Sequence, residues 1–430
     1  MYTDIEGMGT ADRRSLQGER LRETARHADE NVDHYRATFD RRGIDPDDLD
    51  DVTELPWLPF TTKEDLLDTY PDGMFAVPRE DVLRVHASSG TGGKSKIVGY
   101  TRGDLDVWNE VVARLYTSGG MDSGDTYQVS LGYGLFTGGF GFHQGAEELG
   151  ATVIPMSGGN TKQQIRMMRD LDSDAIGCIT SYAHYIADVA AEMGLDPTSL
   201  PVSTVFVGGE MTTEAMMDRI AARFDADVYN NYGLSEIVGP GVAAQCEERS
   251  DGMHVQSDHF YPEVIDPEMG NVLDDGEEGE LVLTTLTKEA LPLFRYRTGD
   301  ITALHHDSCD CGRTTVRMDH VTGRTDDMLT VRGTNVFPSR IETAIYAVDG
   351  LSSVYRIDVR RDGSLDTIEI TAEVERDTDV DREGVGERLT EALETELQLT
   401  PDGVRLVDPK TIERTEVGKV KRLYDHRDLS

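Results

Sequence analysis

The stretch AIGCITSYAHYIADVAAEMGLDPTSLPVSTVFVGGEMTTEAMMDRIAARF, residues 175–224, decides the fold. A short apolar run, Ala175 to Thr180, is followed by a helical pattern, Tyr182 to Met193, and the pair recurs as Thr204 to Val207 and Thr213 to Phe224. A brief continuous apolar run between polar breaks reads as a strand, and the three-to-four spacing between runs reads as a helix. Strands alternating with helices imply a parallel sheet in an α/β fold. Upstream the alternation continues with apolar runs at Gln128 to Leu131 and Ala151 to Pro155 and a helix at Lys162 to Leu171.

Downstream the texture changes twice. From Gly252 to Leu304 it becomes hairpin-like, with Gly270-Asn271 and Asp275-Gly276 as turns and Gly279 to Thr285 as a strand, which predicts a small antiparallel or barrel-like appendix. After Arg324 come a helix at Ser339 to Val348, strands at Ser353 to Val359 and Thr367 to Val374, a helix at Arg382 to Leu397 and a strand at Gly403 to Asp408. The expected organisation is a large α/β domain over 1–325 with a β-rich appendix over about 246–320, then a smaller α+β domain over 326–430.

Composition narrows the function. Of 430 residues 81 are acidic and 42 basic, a net charge of -39, so the basic face that nucleic acid or an anionic membrane needs is missing. Eight of the basic residues are Lys, so 42 − 8 = 34 are Arg, and the acids are spread along the whole chain. That is a surface suited to high salt, where a Debye length of roughly 3 Å at about 1 M screens the self-repulsion. The expectation is a salt-adapted cytoplasmic protein. The long stretch almost free of charge, Thr126 to Ala146, is interrupted by six glycines, which argues against a membrane span. Four cysteines in so long a chain make no disulfide framework.

The strongest local signal is Ser88-Ser89-Gly90-Thr91-Gly92-Gly93-Lys94-Ser95-Lys96, which follows an alternating apolar run. Its glycines let backbone N–H groups close on phosphate oxygens, its hydroxyls add donors and Lys94 adds a charge. Further along sit Gly208-Gly209-Glu210, Asn231-Tyr232-Gly233 with Ser235-Glu236, Gly299-Asp300, Gly323-Arg324-Thr325-Asp326 and Gly418-Lys419. In this order these pieces resemble the adenylate-forming superfamily of acyl-CoA synthetases. Within it, the run Leu131 to Glu147, the stretch Val153 to Thr161 and Arg332-Gly-Thr-Asn-Val-Phe-Pro-Ser-Arg-Ile-Glu342 are similar to phenylacetate-CoA ligases.

The resemblance implies a reaction in which a carboxylate attacks the α-phosphate of ATP, releasing pyrophosphate, and the acyl group then passes from AMP to the thiol of CoA. It assigns the loop Ser88 to Lys96 to the β- and γ-phosphates and Gly209, Glu210, Asn231 and Gly233 to the nucleotide pocket. Tyr232 is assigned to stacking on adenine, Asp300 to the ribose hydroxyls and Arg324 to ribose or phosphate. Glu236 is assigned to Mg²⁺, Lys419 to the α-phosphate and carboxylate during adenylation, and Asp326 to the hinge of the C-terminal domain. One departure is visible: the family loop reads Ser-Ser-Gly-Thr-Thr-Gly-Lys-Pro, whereas here Gly92 and Ser95 replace the second Thr and the Pro. One hydroxyl donor is lost and backbone freedom is gained, which predicts a looser hold on ATP.

Two further constellations complete the reading. Cys246, His254, Cys309 and Cys311 supply three thiolates and an imidazole, a set suited to closed tetrahedral Zn²⁺, with His259, His305 and His306 as rival ligands and Cys178 as core. The glycine-rich run places Tyr133, Phe136, Phe140, Phe142 and His143 among small residues, leaving room for a flat ring. The expected partners are ATP, CoA and an aryl carboxylate, phenylacetate first, with a homodimer allowed. Two other readings stay open: transfer of AMP to a deazaflavin coenzyme, and a non-catalytic ATP-binding protein on the same fold.

Overall fold

The computed structural model describes residues 1–88, 95–248, 252–327, 329–332, 334–362, 365–375, 381–413 and 422–427. Its centre is a nine-stranded sheet. Five strands are parallel in the order Thr152–Ile154, Thr126–Val129, Ala175–Cys178, Thr204–Gly208 and Asp227–Leu234. The strand Ala175–Cys178 is buried along its whole length, so its sequence is apolar without alternation. Helices cover both faces. Thr161–Asp170, Thr180–Glu192 and Glu214–Phe224 close one core against the sheet, while Arg102–Ser118 and Gly138–Leu149 contribute to the core on the other side.

Local signals set the helix ends. Thr101 caps Arg102–Ser118 through Asp104 N at 3.0 Å, and the Asp104 carboxylate returns to Thr101 N at 2.9 Å. The same buried carboxylate accepts Glu289 N at 2.7 Å and Ala290 N at 3.0 Å, tying that helix to a distant loop. The helices Arg102–Ser118 and Gly138–Leu149 meet through glycine. A Cβ on Gly141 would come within 2.6 Å of Trp108, and one on Gly145 within 2.3 Å of Val112.

The β-rich stretch divides between two sheets. Gly239–Ala244, Met253–Val255, Arg317–Met318 and Leu304–His305 extend the central sheet with antiparallel pairings. Phe260–Ile265, Gly279–Thr285, Tyr296–Thr302 and Gly323–Arg324 form a separate four-stranded antiparallel sheet. Met253, Phe260 and Leu283 nonetheless share one core with Trp108 and Tyr127, so this stretch buries its apolar face on the main body rather than on itself. Hairpin signals report local pairing, and the identity of the partner sheet is not local.

From Leu329 onward a second core forms around Ile341, Ile357, Ile370 and Leu393. Its sheet runs Gly403–Val407, Leu365–Val374, Leu351–Asp362 and Leu423–Asp425. Tyr355, Ile357 and Val359 face the helices Pro338–Tyr346 and Arg382–Leu397, so by strand alternation Arg356, Asp358 and Arg360 lie on the opposite face. That face lines a cleft against the main body. Among the described residues no helix is long and apolar enough to cross a membrane.

Candidate active site

The polar residues gather at the carboxyl ends of the parallel strands, the usual location of ligand crevices in such sheets. After Thr204–Gly208 the chain turns at Gly209, where φ is +77°. The Glu210 carboxylate accepts Ser181 N and Ser181 Oγ at 3.0 Å each, at the amino end of helix Thr180–Glu192, where negative charge is favoured. Asn231 donates to Val207 O at 2.7 Å, so its amide braces two adjacent strands. A Cβ on Gly233 would lie 2.0 Å from Gly239 O, so this glycine is set by sheet packing.

Tyr232 is buried and donates through Oη to Asp300 Oδ2 at 2.6 Å. Burial, with Asp300 next to it, holds the Tyr232 phenol well above its ordinary pKa, and it stays a donor. Arg324, directly opposite Asp300 in the strand register, pairs with the other oxygen of the same carboxylate and also donates to Asp326 Oδ1 at 2.9 Å. Burial opposes the Arg324 charge, yet Asp300 and Asp326 together raise its pKa. One guanidinium therefore links the expected ribose acceptor to the expected hinge.

Ser88 and Lys96 face each other across the first hairpin, and residues 89–94, which carry the Ser89, Gly90, Thr91, Gly92, Gly93 and Lys94 expectations, lie outside the described residues. So does Lys419, although Glu413 and Arg422 on either side of its segment both line the cleft. The sequence reading placed Lys96 in the phosphate loop and did not foresee its partner. Its ammonium pairs with Glu236, which also accepts Tyr296 Oη at 3.4 Å, and both members of the pair are largely buried. Glu236 is thus a buried carboxylate held by an ammonium and a phenol.

The cleft has a volume of about 1250 Å³. Tyr133 and Phe136 line it, and open space lies over Gly132 and Gly134. Phe140 and His143 sit behind: the Phe140 ring meets Tyr133 edge-on at 5.3 Å, and His143 Nδ1 lies 3.0 Å from Tyr133 Oη. Phe142 is core. The glycines thus divide, with Gly132 and Gly134 opening the cleft while Gly141 and Gly145 serve helix packing. Thr137 Oγ1, 3.1 Å from Ser235 Oγ, joins this wall to the residue before Glu236.

Cys246, His254, Cys309 and Cys311 come together with all four ligand atoms within 4.8 Å of one another. Cys246 and Cys309 sulfurs are 3.8 Å apart, and Cys311 Sγ is 3.4 Å from His254 Nε2. His254 Nδ1 rests 3.1 Å from Thr315 Oγ1, which turns the other nitrogen toward the thiols. The rivals are engaged elsewhere: His259 with Asp258 and Thr287, His305 with Asp319, and His306 with Asp275. Cys178 is buried in its strand, as expected.

The class of protein follows from family models: the chain is an adenylate-forming enzyme. Residues 12–286 match the AMP-binding enzyme model and 333–427 its C-terminal domain. The phenylacetate-coenzyme A ligase of Aromatoleum evansii is 46% identical over 98% of this chain and 96% of that protein. The chain belongs to the phenylacetate-CoA ligase family. A solved 2-hydroxyisobutyryl-CoA ligase in its postadenylation state with 2-HIB-AMP superposes with a TM-score of 0.91 at 28% identity, covering 97% of this chain and 90% of that one. The same ligase with 2-HIB-AMP and CoA in the thioesterification state gives 0.72 at 28% identity, covering 98% and 91%.

Proposed function

We propose that this chain joins phenylacetate, or a close aryl acid, to CoA with conversion of ATP to AMP and pyrophosphate, through an acyl-adenylate. The observation that carries this reading is the aromatic-walled cleft at the carboxyl ends of the parallel strands, beside the Tyr232–Asp300–Arg324 chain. Both half-reactions bring anions together, so donors fixed in advance lower the barrier. Asp300 accepts from the ribose hydroxyls while Tyr232 Oη and Arg324 hold it in place. Gly209 and Glu210 border the base, and Ser88 to Lys96 take the phosphates. Lys419 bridges carboxylate and α-phosphate. Glu236, by the family resemblance, would hold Mg²⁺ in exchange for the Lys96 ammonium it now pairs with, and the ion supplies charge neutralisation at the phosphates when bound. Tyr133 and Phe136 wall the acyl site, with Phe140 and His143 supporting Tyr133 from behind.

The test is pyrophosphate exchange across a panel of carboxylic acids in molar KCl, followed by AMP release with and without CoA. Exchange with no aryl acid would remove the substrate assignment. AMP release that ignores CoA would favour another acceptor, and best activity in dilute buffer would remove the salt-adapted, cytoplasmic reading.

We also assign Cys246, His254, Cys309 and Cys311 to structural Zn²⁺. The donor set fits: three sulfurs and one oriented imidazole converge, mostly buried, which suits a closed site. The ion would tie the loop carrying Cys309 and Cys311 to the sheet. A clamp already seats that loop, because Arg313 Nε donates to the buried Glu6 at 2.7 Å. Cys309→Ser should release about one zinc per chain and lower Tm by several degrees, since such a site contributes directly to folding. Elemental analysis finding no zinc in protein purified without chelators would end this assignment.

A further inference from the structure

The small domain rests on two helices of the main body, Thr180–Glu192 and Glu214–Phe224. Arg219 makes the main contact. Its Nη2 donates to Val348 O and its Nη1 to Leu351 O, each at 2.9 Å. Both carbonyls follow the carboxyl end of helix Pro338–Tyr346, where a cation is favoured. The Arg219 guanidinium also lies 5.3 Å from the Tyr346 ring centroid, and the His184 ring packs on the same tyrosine at 5.5 Å. One helical turn away, Arg223 donates to His184 O at 3.1 Å and to Asp188 Oδ1 at 2.8 Å, fixing the two supporting helices to each other. Lys410 and Glu192, 3.1 Å apart, pair at the margin of the seat.

The seat roofs the cleft. With the small domain in place, Arg356 and Tyr424 face Tyr133 and Phe136 across it. This chain superposes more closely on the ligase form that holds an acyl-adenylate without CoA than on the form that holds both. The Arg219 contacts therefore belong to an arrangement in which the mixed anhydride is already made and the thiol has yet to enter.

We propose that Arg219 is a positioning residue that latches the small domain over the acyl-adenylate and keeps water from it until CoA arrives. The inference rests on the two-step ligase reading. The reaction it suppresses is hydrolysis: water attacks the acyl carbon, the bond from that carbon to the phosphate oxygen breaks, and free acid and AMP leave with the proton released to solvent. Arginine suits the task because its planar fork reaches two carbonyls at once while its face packs on an aromatic ring. Lysine at this position would reach one.

The experiment compares full-length wild type, Arg219→Ala and Arg219→Lys, with phenylacetate and ATP at saturation. Arg219→Ala should raise CoA-independent release of AMP and free acid about tenfold and lower the acyl-CoA formed per ATP. Pyrophosphate exchange should stay within about twofold of wild type, and Arg219→Lys should fall between the two. Small-angle scattering with a non-hydrolysable acyl-AMP mimic should show a more extended particle for Arg219→Ala. An unchanged acyl-CoA yield per ATP, or equal loss of exchange and thioester formation, would overturn the latch while leaving the ligase reading standing. A wild-type protein that makes no acyl-CoA would overturn both.

Discussion

Lys419→Ala should lower acyl-adenylate formation about a thousandfold, ~4 kcal/mol, while thioester formation from supplied acyl-adenylate stays within a few-fold of wild type. The asymmetry follows from when the charge is needed. In the first half-reaction an anionic carboxylate approaches an anionic phosphate, and one ammonium bridging the two removes most of the repulsion. In the second half-reaction the phosphate leaves and no such approach occurs. Glu413 and Arg422, the described residues nearest to it on either side, both line the cleft. The check is pyrophosphate exchange alongside single-turnover thioester formation. Equal loss in both would remove Lys419 from this role.

Asp326→Pro should leave adenylation near wild type and slow thioester formation by on the order of a hundredfold, roughly 3 kcal/mol. Asp326 stands at the junction of the two cores, and on the proposed two-step reading the small domain would change its seating between half-reactions, with a few backbone dihedrals here absorbing the change. Proline fixes φ near -65° and also restricts the preceding residue, Thr325. Because the substitution also deletes the carboxylate that accepts Arg324 at 2.9 Å, Asp326→Ala is the necessary companion. If Ala and Pro slow the second step equally, the ion pair matters and the backbone does not. Circular dichroism excludes misfolding as the cause.

The two proposals meet at Arg324. Its guanidinium pairs with Asp300 on one side and Asp326 on the other, so a ribose that engages Asp300 acts on the same cation that steadies the junction. On that reading nucleotide occupancy and domain seating would share a side chain.

How much of this was readable beforehand depended on distance along the chain. The strand Thr204–Gly208 was legible as a short apolar run, buried from Val205 onward, and the helix Glu214–Phe224 because its burial is periodic and its capping residue, Thr213, is adjacent. Helix Arg382–Leu397, which buries Val385, Leu389, Leu393 and Leu397 at helical spacing, and strand Gly279–Thr285, buried along its whole length, also fell at the expected residues. The metal-type cluster was legible because thiols are scarce and a Cys-x-Cys pair has few other uses in a long chain. The Lys96–Glu236 pair was not, since 140 positions separate the two and nothing local marks either partner. Nor was the strand Leu423–Asp425, three residues whose only structural signature is a parallel neighbour far upstream. The glycines of the run 131–147 were seen as one set, although a glycine that opens space and a glycine that admits a neighbouring helix look identical in one-letter code. Only the contacts distinguish Gly134 from Gly145.

That division has a practical side for anyone wishing to change which acid the protein accepts. Helix Gly138–Leu149 touches helix Arg102–Ser118 almost backbone to backbone, and a single added methyl at Gly141 or Gly145 would have to displace Trp108 or Val112, both fully buried. Overpacking of that kind costs roughly 1–3 kcal/mol before any gain in selectivity. Randomised libraries aimed at the proposed acyl site therefore belong at Gly132, Tyr133, Leu135 and Phe136, where Gly132 looks onto empty space and Phe136 is 45% exposed, with Gly134 kept because its φ of +155° disfavours a side chain. Such variants should express and fold far more often than variants one turn into the helix.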